Sequence, residues 1–370
     1  MNKYDLCVPC LLGLEGPIAD ELKRMKLEGV RSENGRVYFS GDDFAIAKAN
    51  TCLRIGERVL IELGRFEART FDELFEKTKA LPWEKLIPAD AAFPVKGYSL
   101  NSKLFSVSDC QKIIKKAIVE HLKGVYRLEW FPENRETYQI QFSIMKDMVS
   151  LCIDTSGEGL HKRGYRPAHN AAPLKETMAA AMVTLSRYRG REDFCDPFCG
   201  SGTIPIEAAL IAKNRAPGLN RSFSAMNWRS FDQSVWNEVR EEARSREFSG
   251  DYRIVGSDID PNALAIAREN AERAGVADIV RFEKADATKF ERKTENGIIV
   301  TNPPYGERIM EKQEAEMLYR GFGEAWRATE NWKLYLLSSH TEFERTFGKT
   351  ADKKRKLYNG MIKCDLFMYF

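Results

Sequence analysis

Short apolar segments alternate with longer helical segments from about residue 173 onward. The strand-like segments are Phe194-Cys195, Arg253-Ile254-Val255, Ile279 to Phe282, Ile298 to Val300 and Lys333 to Leu337. This alternation is typical of an α/β protein with a doubly wound parallel sheet. Two further strand-like segments, Lys356 to Tyr358 and Met361 to Tyr369, flank Asn359-Gly360 and predict an antiparallel hairpin that closes the sheet. The polar residues 214 to 250 predict a helical insertion between the first two strands.

The first 155 residues have a different pattern, in which short strands and helices are interspersed. Tyr4 to Val8 predicts a strand, and Asn34-Gly35 predicts a hairpin turn. Thr70-x-x-Glu73 and Ser108-x-x-Gln111 resemble capping boxes before apolar helical segments. We therefore expect an α+β region that could contain two small units.

Composition limits the class of protein. A chain of 370 residues with 43% hydrophobic and 30% charged residues predicts a globular protein of two or three domains. No apolar run approaches the roughly 20 residues needed to span a bilayer, and no secretory signal is recognisable, so we expect a cytoplasmic protein. The eight cysteines are scattered, which favours reduced thiols. Cys7 and Cys10 form a C-x-x-C without a second pair or a nearby histidine, so we favour packing and expect no metal.

Positive charge is concentrated in two segments although the net charge is only +3. These segments are Lys162 to Arg166 and Lys353 to Lys356. Basic clusters can bind phosphates, but a charge run is more often a solvated face. Bulk charge alone therefore does not indicate a nucleic-acid-binding protein.

A glycine-containing loop follows the first strand of the predicted parallel sheet. It spans Asp196 to Thr203 and precedes a helical segment, Ile204 to Ala212. The helix N-terminus offers free N–H groups that suit a carboxylate, and glycine lets a ligand approach the backbone. This G-x-G pattern alone is weak, since many strand-to-helix turns use glycine. Pro205 stands where a dinucleotide-binding loop would have its third glycine, which argues against a nicotinamide enzyme.

Acidic residues follow the next two strands. Asp258 could accept hydrogen bonds from ribose hydroxyls, while Asp260 and Pro261 predict the N-cap and first residue of a helix. Asp286 could accept from an adenine amino group, although a loop-capping aspartate explains it equally well. Together with the glycine loop, these acids favour a nucleoside-containing cofactor.

Asn302-Pro303-Pro304-Tyr305 follows the fourth strand, at the sheet edge where open α/β sheets bind ligands. The Asn302 side-chain oxygen and the Pro303 carbonyl could accept the two N–H bonds of a nucleobase amino group and stabilise positive charge on its nitrogen. Pro303 and Pro304 restrict the backbone, and the Tyr305 ring could stack on the base. An ordinary Asn-Pro turn is the alternative. Methylation of a ring carbon would require a cysteine in this loop, and Cys199 lies in the glycine loop instead, where packing explains it.

These motifs resemble those of class I methyltransferases that modify exocyclic amino groups. Over essentially the whole chain, the sequence is similar to bacterial THUMP-domain RNA methyltransferases, including the segment Leu160 to Arg166 and the extended loop Asn302 to Arg308. The resemblance implies a ferredoxin-like part (1–42), a THUMP RNA-binding domain (43–155), a connecting segment and helix (156–190) and a Rossmann-like methyltransferase domain (191–370). It also implies a seven-stranded mixed sheet with a C-terminal antiparallel hairpin.

The same resemblance implies S-adenosylmethionine as cofactor and RNA as partner. The expected cofactor-binding residues are Asp196, Phe198, Gly200, Ser201, Gly202, Thr203, Asp258, Ile259, Asp286, Ala287 and Asn302. The expected RNA contacts outside the catalytic loop are Lys162, Arg163, Tyr165, Arg166 and Arg308. The most similar members methylate guanine N2 of 23S ribosomal RNA. Adenine-N6 methylation of DNA or RNA, guanine-N2 methylation of transfer RNA, methylation of a protein glutamine amide, and a binding protein without catalysis remain alternatives, and the oligomeric state is open.

Overall fold

A computed structural model gives the structure of residues 3–166, 174–292, 294–305, 311–329, 331–360 and 362–370. Its strands form two seven-stranded sheets. The first sheet contains β1 (Tyr4–Pro9), β2 (Glu28–Glu33), β3 (Arg36–Gly41), β4 (Leu60–Glu67), β5 (Val95–Leu100), β6 (Ile140–Met145) and β7 (Met148–Asp154), in the order β2-β3-β1-β4-β7-β6-β5. Its helices are α1 (Glu15–Arg24), α2 (Asp43–Cys52), α3 (Phe71–Lys79) and α4 (Val107–Tyr126).

The first sheet is continuous across the predicted boundary between residues 42 and 43. Strand β4 pairs antiparallel with β1 on one side and with β7 on the other. The ferredoxin-like and THUMP regions therefore share one hydrogen-bonded sheet.

The second sheet confirms the predicted mixed α/β fold. It contains β8 (Asp193–Asp196), β9 (Ile254–Asp258), β10 (Val280–Lys284), β11 (Gly297–Thr301), β12 (Trp332–Ser338), β13 (Lys353–Asn359) and β14 (Ile362–Tyr369), in the order β10-β9-β8-β11-β12-β14-β13. Its helices are α5 (Glu176–Leu185), α6 (Thr203–Ala212), α7 (Ser234–Ser245), α8 (Pro261–Ala274), α9 (Lys312–Arg327) and α10 (Phe343–Phe347). Strands β8 to β12 are parallel, and β14 pairs antiparallel with both β12 and β13.

Local sequence signals account for most of the observed turns and helix ends. Gly35 and Gly360 have positive φ angles of 75° and 65° in the two predicted hairpin turns, a conformation that glycine adopts without strain. Thr70 caps α3 by accepting a hydrogen bond from the Glu73 amide. The prediction for Ser108 was wrong, because α4 begins at Val107 and Ser108 lies inside its first turn.

One hydrophobic cluster extends from the first sheet, through α5 and α6, to the face of the second sheet that these helices cover. A second cluster packs the opposite face of the second sheet against α9 and α10. Helix α5 is buried along almost its whole length between the two halves, which explains its alanine- and methionine-rich sequence. The two halves of the chain are therefore joined by core packing.

The cysteines are free thiols. The Sγ atoms of Cys7 and Cys152 lie 4.0 Å apart across the first sheet, so the nearest thiol to Cys7 is not the other member of its C-x-x-C. No helix within the described ranges combines the length and apolarity required to cross a bilayer.

Candidate active site

The candidate site lies where the chain order reverses in the second sheet. The chain runs from β8 outward to β9 and β10 and then returns to β11 on the other side of β8. Crevices at such switch points, outside the carboxyl ends of the strands, are where open α/β sheets bind ligands. The glycine loop after β8 and the Asn302 loop after β11 therefore meet at this crevice.

The two glycines of the first loop serve different purposes. Gly200 and Gly202 both have positive φ angles, of 50° and 83°. A Cβ atom at Gly202 would lie 2.9 Å from the Cβ of Ala267 on α8, whereas a Cβ at Gly200 would meet no atom within 4 Å. Gly202 therefore permits close packing of α6 against its neighbours, and Gly200 borders open space that a ligand can enter.

Asp258 connects the glycine loop to the end of β9. Its Oδ2 atom accepts a 2.9 Å hydrogen bond from the Gly200 amide, and its Oδ1 atom accepts one of 2.9 Å from the Asp260 amide. Asp260 itself caps α8 by accepting from the Asn262 amide, as predicted. The neighbouring Ile259 side chain is 66% exposed. A carboxylate and an exposed apolar side chain thus stand together at the crevice.

Asp286 takes the loop-capping position that the sequence left open. Its Oδ1 atom accepts hydrogen bonds from the amide and the hydroxyl of Thr288, at 2.9 and 2.7 Å. These bonds lower the pKa of Asp286 and fix the short 3₁₀ turn Ala287–Lys289. Because both bonds use Oδ1, the Oδ2 atom can still accept a bond from a ligand.

Asp196 is joined to the end of β11, a contact that the sequence did not indicate. The Thr301 hydroxyl donates a 2.6 Å hydrogen bond to the Asp196 Oδ1 atom, which also accepts from the Phe198 amide at 3.1 Å. Burial, together with the nearby negative charge of Asp258, raises the pKa of Asp196 to about 7. Thr301 directly precedes Asn302, so this bond fixes the start of the Asn302 loop against the glycine loop. The sequence feature that could have indicated this contact is the polar Thr301 at the end of the otherwise apolar strand Gly297–Thr301.

The Tyr305 side chain is bonded to the Asn302 oxygen that was predicted to accept a hydrogen bond from the substrate. Its hydroxyl donates a hydrogen bond to the Asn302 Oδ1 atom and lies 3.9 Å from the Cys364 Sγ atom on β14. Its ring packs against the main hydrophobic cluster, and burial raises its pKa well above the ordinary value. The Tyr319 hydroxyl donates a 2.6 Å hydrogen bond to the Pro304 carbonyl and holds the middle of the loop. The predicted stacking role of Tyr305 therefore requires this ring to leave its position.

The prediction that Arg163 and Tyr165 contact RNA requires correction. Both residues are only 3% exposed, and both bind Glu207, a fully buried residue of α6. The Arg163 Nε atom and the Tyr165 hydroxyl lie 3.4 and 3.2 Å from the Glu207 Oε1 atom. Arg163 also donates to the Leu160 carbonyl at 2.7 Å. These side chains compensate a buried carboxylate and are not available to RNA in this structure.

The other residues of that prediction have different surroundings. Arg166 pairs with Glu176 at 2.6 Å and donates to the Thr203 hydroxyl at 3.1 Å, so it supports the first residue of α6 behind the glycine loop. Lys162 is exposed and pairs with Glu158 at 2.9 Å. Lys162 alone of these four remains available to RNA, and Arg308 lies outside the described residues.

Three family profiles match consecutive parts of the chain. The RlmL ferredoxin-like domain matches residues 5–60, and the THUMP domain matches residues 68–154. A profile described as RMKL-like, methyltransferase domain, matches residues 163–367, more than half of the chain.

Individual proteins are similar over the full length of this chain. A Bacillus subtilis (strain 168) protein named as a candidate RNA methyltransferase, YpsC, is 44% identical over 100% of this chain and 97% of its own length. Ribosomal RNA large subunit methyltransferase K/L of Marinobacter nauticus is 33% identical over 100% of this chain, which spans 53% of that relative. A crystal structure of the candidate methyltransferase SMU.472 in complex with SAH has 40% identity and a TM-score of 0.93, and the match covers 100% of this chain and 98% of that one.

Proposed function

The chain belongs to the RMKL-like methyltransferase family and has a THUMP domain, and from this premise we propose that it methylates the N2 amino group of a guanine in 23S ribosomal RNA. It is an S-adenosylmethionine-dependent methyltransferase, as its family and the SAH complex of a 40% identical protein indicate. The choice of ribosomal RNA is supported by the 33% identity to ribosomal RNA large subunit methyltransferase K/L of Marinobacter nauticus, of which this chain spans 53%.

The residues around the glycine loop fit this cofactor. The open side of Gly200 lets a ligand approach the backbone, and the N-terminus of α6 presents amides that favour a carboxylate. The Asp258 carboxylate can accept bonds from ribose hydroxyls, and the exposed Ile259 offers an apolar surface to the adenine. Asp286 and Ala287 would border the adenine from the next loop. When bound, S-adenosylmethionine supplies an electrophilic methyl group on a sulfonium.

The Asn302 loop carries the proposal for the reaction type. The guanine N2 group would donate its two N–H bonds to the Asn302 Oδ1 atom and the Pro303 carbonyl, which lets the nitrogen lone pair leave conjugation with the ring. The Tyr305 hydroxyl donates to one acceptor position of the Asn302 Oδ1 atom in this structure, and we propose that base binding displaces it. The released Tyr305 ring would then be free to stack on the base. Thr301, held by Asp196, keeps the start of the loop fixed while its tip moves.

Transfer of a labelled methyl group tests the substrate. We expect ribosomal RNA from a strain lacking the gene to accept label as N2-methylguanosine, and RNA from the parent strain, whose site is already methylated, to accept little. Label in N6-methyladenine, in transfer RNA or in DNA would replace the proposed substrate with one of the alternatives. No label in any nucleic acid, with label in a protein, would reject nucleic acid as the substrate.

A single substitution tests the catalytic loop. Asn302→Ala should reduce turnover by about 100-fold or more, because one of two acceptors for developing charge is lost. S-adenosylmethionine binding, measured by calorimetry, should survive the substitution, because Asn302 is one of eleven expected cofactor-binding residues. Asn237→Ala, at an exposed position on α7, is the matched control and should leave turnover unchanged. Normal turnover in Asn302→Ala would refute the mechanism.

A further inference from the structure

A wide cleft lies between α1 and the antiparallel end of the second sheet. Its volume is about 890 Å³, and its apolar lining includes Ile298, Tyr335 and Met368. Ile298 and Asn302 are four residues apart on β11 and the loop after it, so about 13 Å of extended chain separates this cleft from the catalytic loop. The cleft is thus close to the candidate active site but opens toward the opposite edge of the sheet.

The residues that line the cleft have a larger excess of positive charge than the chain as a whole. Seven cationic residues line it, namely Arg24, Arg187, Arg189, Lys333, Lys353, Lys354 and Arg355. Two acidic residues, Asp20 and Glu192, also line it. Seven positive and two negative charges leave a local excess of five, whereas the whole chain has a net charge of +3. We call this site the basic cleft.

Local explanations account for only part of this charge. Strand β13 is the edge of the second sheet, and lysines on an edge strand prevent pairing with other chains. That purpose explains Lys353 to Arg355. It does not explain Arg24 on α1, Arg187 and Arg189 after α5, or Lys333 on β12, which come from distant parts of the chain.

Most of these cations also have no carboxylate partner. Lys354 pairs with Glu344 at 2.7 Å. Within the described part of the chain, no ion pair is formed by Arg24, Arg187, Arg189, Lys333, Lys353 or Arg355. Burial lowers the pKa of Arg189, and the like charge of Arg24 lowers it further against the opposing effect of Glu192. A bound polyanion would relieve this repulsion.

An exposed aromatic ring borders the basic cleft. Phe370 is 63% exposed, and its ring stands edge-on against Tyr335 with 5.9 Å between the ring centroids. Proteins that bind single-stranded nucleic acids combine a positively charged groove with aromatic rings on which bases stack. The basic cleft has both features.

We propose that the basic cleft binds the sugar-phosphate backbone of a single-stranded stretch of the RNA substrate. The proposal rests on the proposed function, since it takes RNA as the substrate. Backbone contacts fix the register of a nucleic acid without reading its sequence. The cleft would therefore supply affinity and orientation, while the Asn302 loop selects the amino group.

Charge-neutralising variants test the proposal with a probe that cannot be methylated at an amino group. Fluorescein-labelled oligouridylate of about 20 nucleotides is suitable, because uracil has no exocyclic amino group and the probe exceeds the 4–16 nucleotides that such sites cover. The test variant is Lys333→Gln/Lys353→Gln/Arg355→Gln. The matched control is Arg244→Gln/Arg273→Gln/Arg281→Gln, which removes three exposed arginines of the same domain outside the cleft.

Fluorescence anisotropy between roughly 50 and 200 mM KCl should separate the two variants. The slope of log K against log salt is negative, and each lost phosphate contact makes it less steep by about 0.7 for single strands. The slope of the test variant should therefore be smaller in magnitude by about 2. We also expect about tenfold weaker binding at the lowest salt concentration. The control variant and the parent protein should agree, and S-adenosylmethionine binding should be the same in all three.

Two results would overturn the proposal. One is a test variant that binds oligouridylate with the affinity and salt dependence of the control. The other is a variant that loses binding of inorganic tripolyphosphate but not of oligouridylate, which would make the cleft a site for small anions. Failure of the parent protein to methylate ribosomal RNA would instead reject the proposed function, and anisotropy would still report whether the cleft binds RNA.

Discussion

Replacing Arg163 with methionine should reveal the cost of removing the cation that is hydrogen-bonded to Glu207, while the charge of Arg54 remains nearby. The two side chains are almost completely buried, with exposures of 2% and 0%, and the Arg163 guanidinium also donates to the carbonyls of Leu160 and Arg54. In Arg163→Met, Glu207 keeps only the Tyr165 hydroxyl among these partners. We therefore expect a loss of folding stability and not a loss of RNA affinity.

The size of this loss follows from the burial of the pair. Breaking a buried ion pair by removing one partner costs about 3–5 kcal/mol, because an uncompensated charge remains. Arg163→Met/Glu207→Gln removes that charge but keeps an acceptor for the Tyr165 hydroxyl. The double variant should recover most of the loss and remain about 1–2 kcal/mol below the parent, because the carbonyls of Leu160 and Arg54 lose their donor.

The loss should also depend on pH. Burial raises the pKa of Glu207, and Arg163 opposes this shift, so the pKa must rise further in Arg163→Met. A carboxyl group with a raised pKa binds its proton more tightly in the folded state, and its contribution to stability is lost as pH rises through that pKa. The difference between variant and parent should therefore be smallest near pH 5 and increase toward pH 8.

Urea unfolding followed by tryptophan fluorescence measures these differences. Lys162→Met is the matched control, because Lys162 is the exposed neighbour and should change stability by less than about 1 kcal/mol. A cost below about 1 kcal/mol for Arg163→Met, with no dependence on pH, would refute the structural role. A variant with parental stability and weak RNA binding would restore the original RNA-contact prediction.

Three further substitutions test the site. Asp196→Asn should remove a pH dependence of folding stability, because the pKa of Asp196 is raised to about 7. As the pH rises from about 4 to 7, the free energy of unfolding of the parent should fall by up to about 1.4 kcal/mol per pH unit relative to the variant. Parallel pH profiles of the two proteins in urea unfolding would contradict this. Tyr305→Phe should retain kcat/KM, because it frees the Asn302 oxygen and keeps the ring. Tyr305→Ala should lower the single-turnover rate of methyl transfer by about tenfold, because the base loses its stacking partner. Equal rates in the two variants would contradict the stacking role. Gly202→Ala should lower the free energy of unfolding by about 1–2 kcal/mol more than Gly200→Ala, because only its Cβ meets Ala267, and the reverse order in urea unfolding would contradict the packing argument.

Much of the fold was predictable because backbone geometry is determined by neighbouring residues. Asn34-Gly35 and Asn359-Gly360 permit the left-handed turns of two hairpins, and Asp260-Pro261 begins α8 as predicted. The alternation of strands and helices predicted the parallel sheet, and that sheet places the loops after β8 and β11 at one crevice. Ser108 shows the limit of such signals, since Ser106 two residues earlier takes the cap position.

The sequence by itself determined the family, the parallel sheet and the two loops at its carboxyl edge. Only the tertiary structure decided what the side chains near those loops contact. In the sequence, Arg163 and Tyr165 belong to a basic segment of the kind that is usually solvated. In the structure, both are buried against Glu207, which is more than 40 residues away. Thr301 joins Asp196 across 105 residues, and the basic cleft combines cations from four distant segments. The physical reason is that turns and caps depend on adjacent residues, whereas burial and charge compensation depend on which distant residue the fold places opposite.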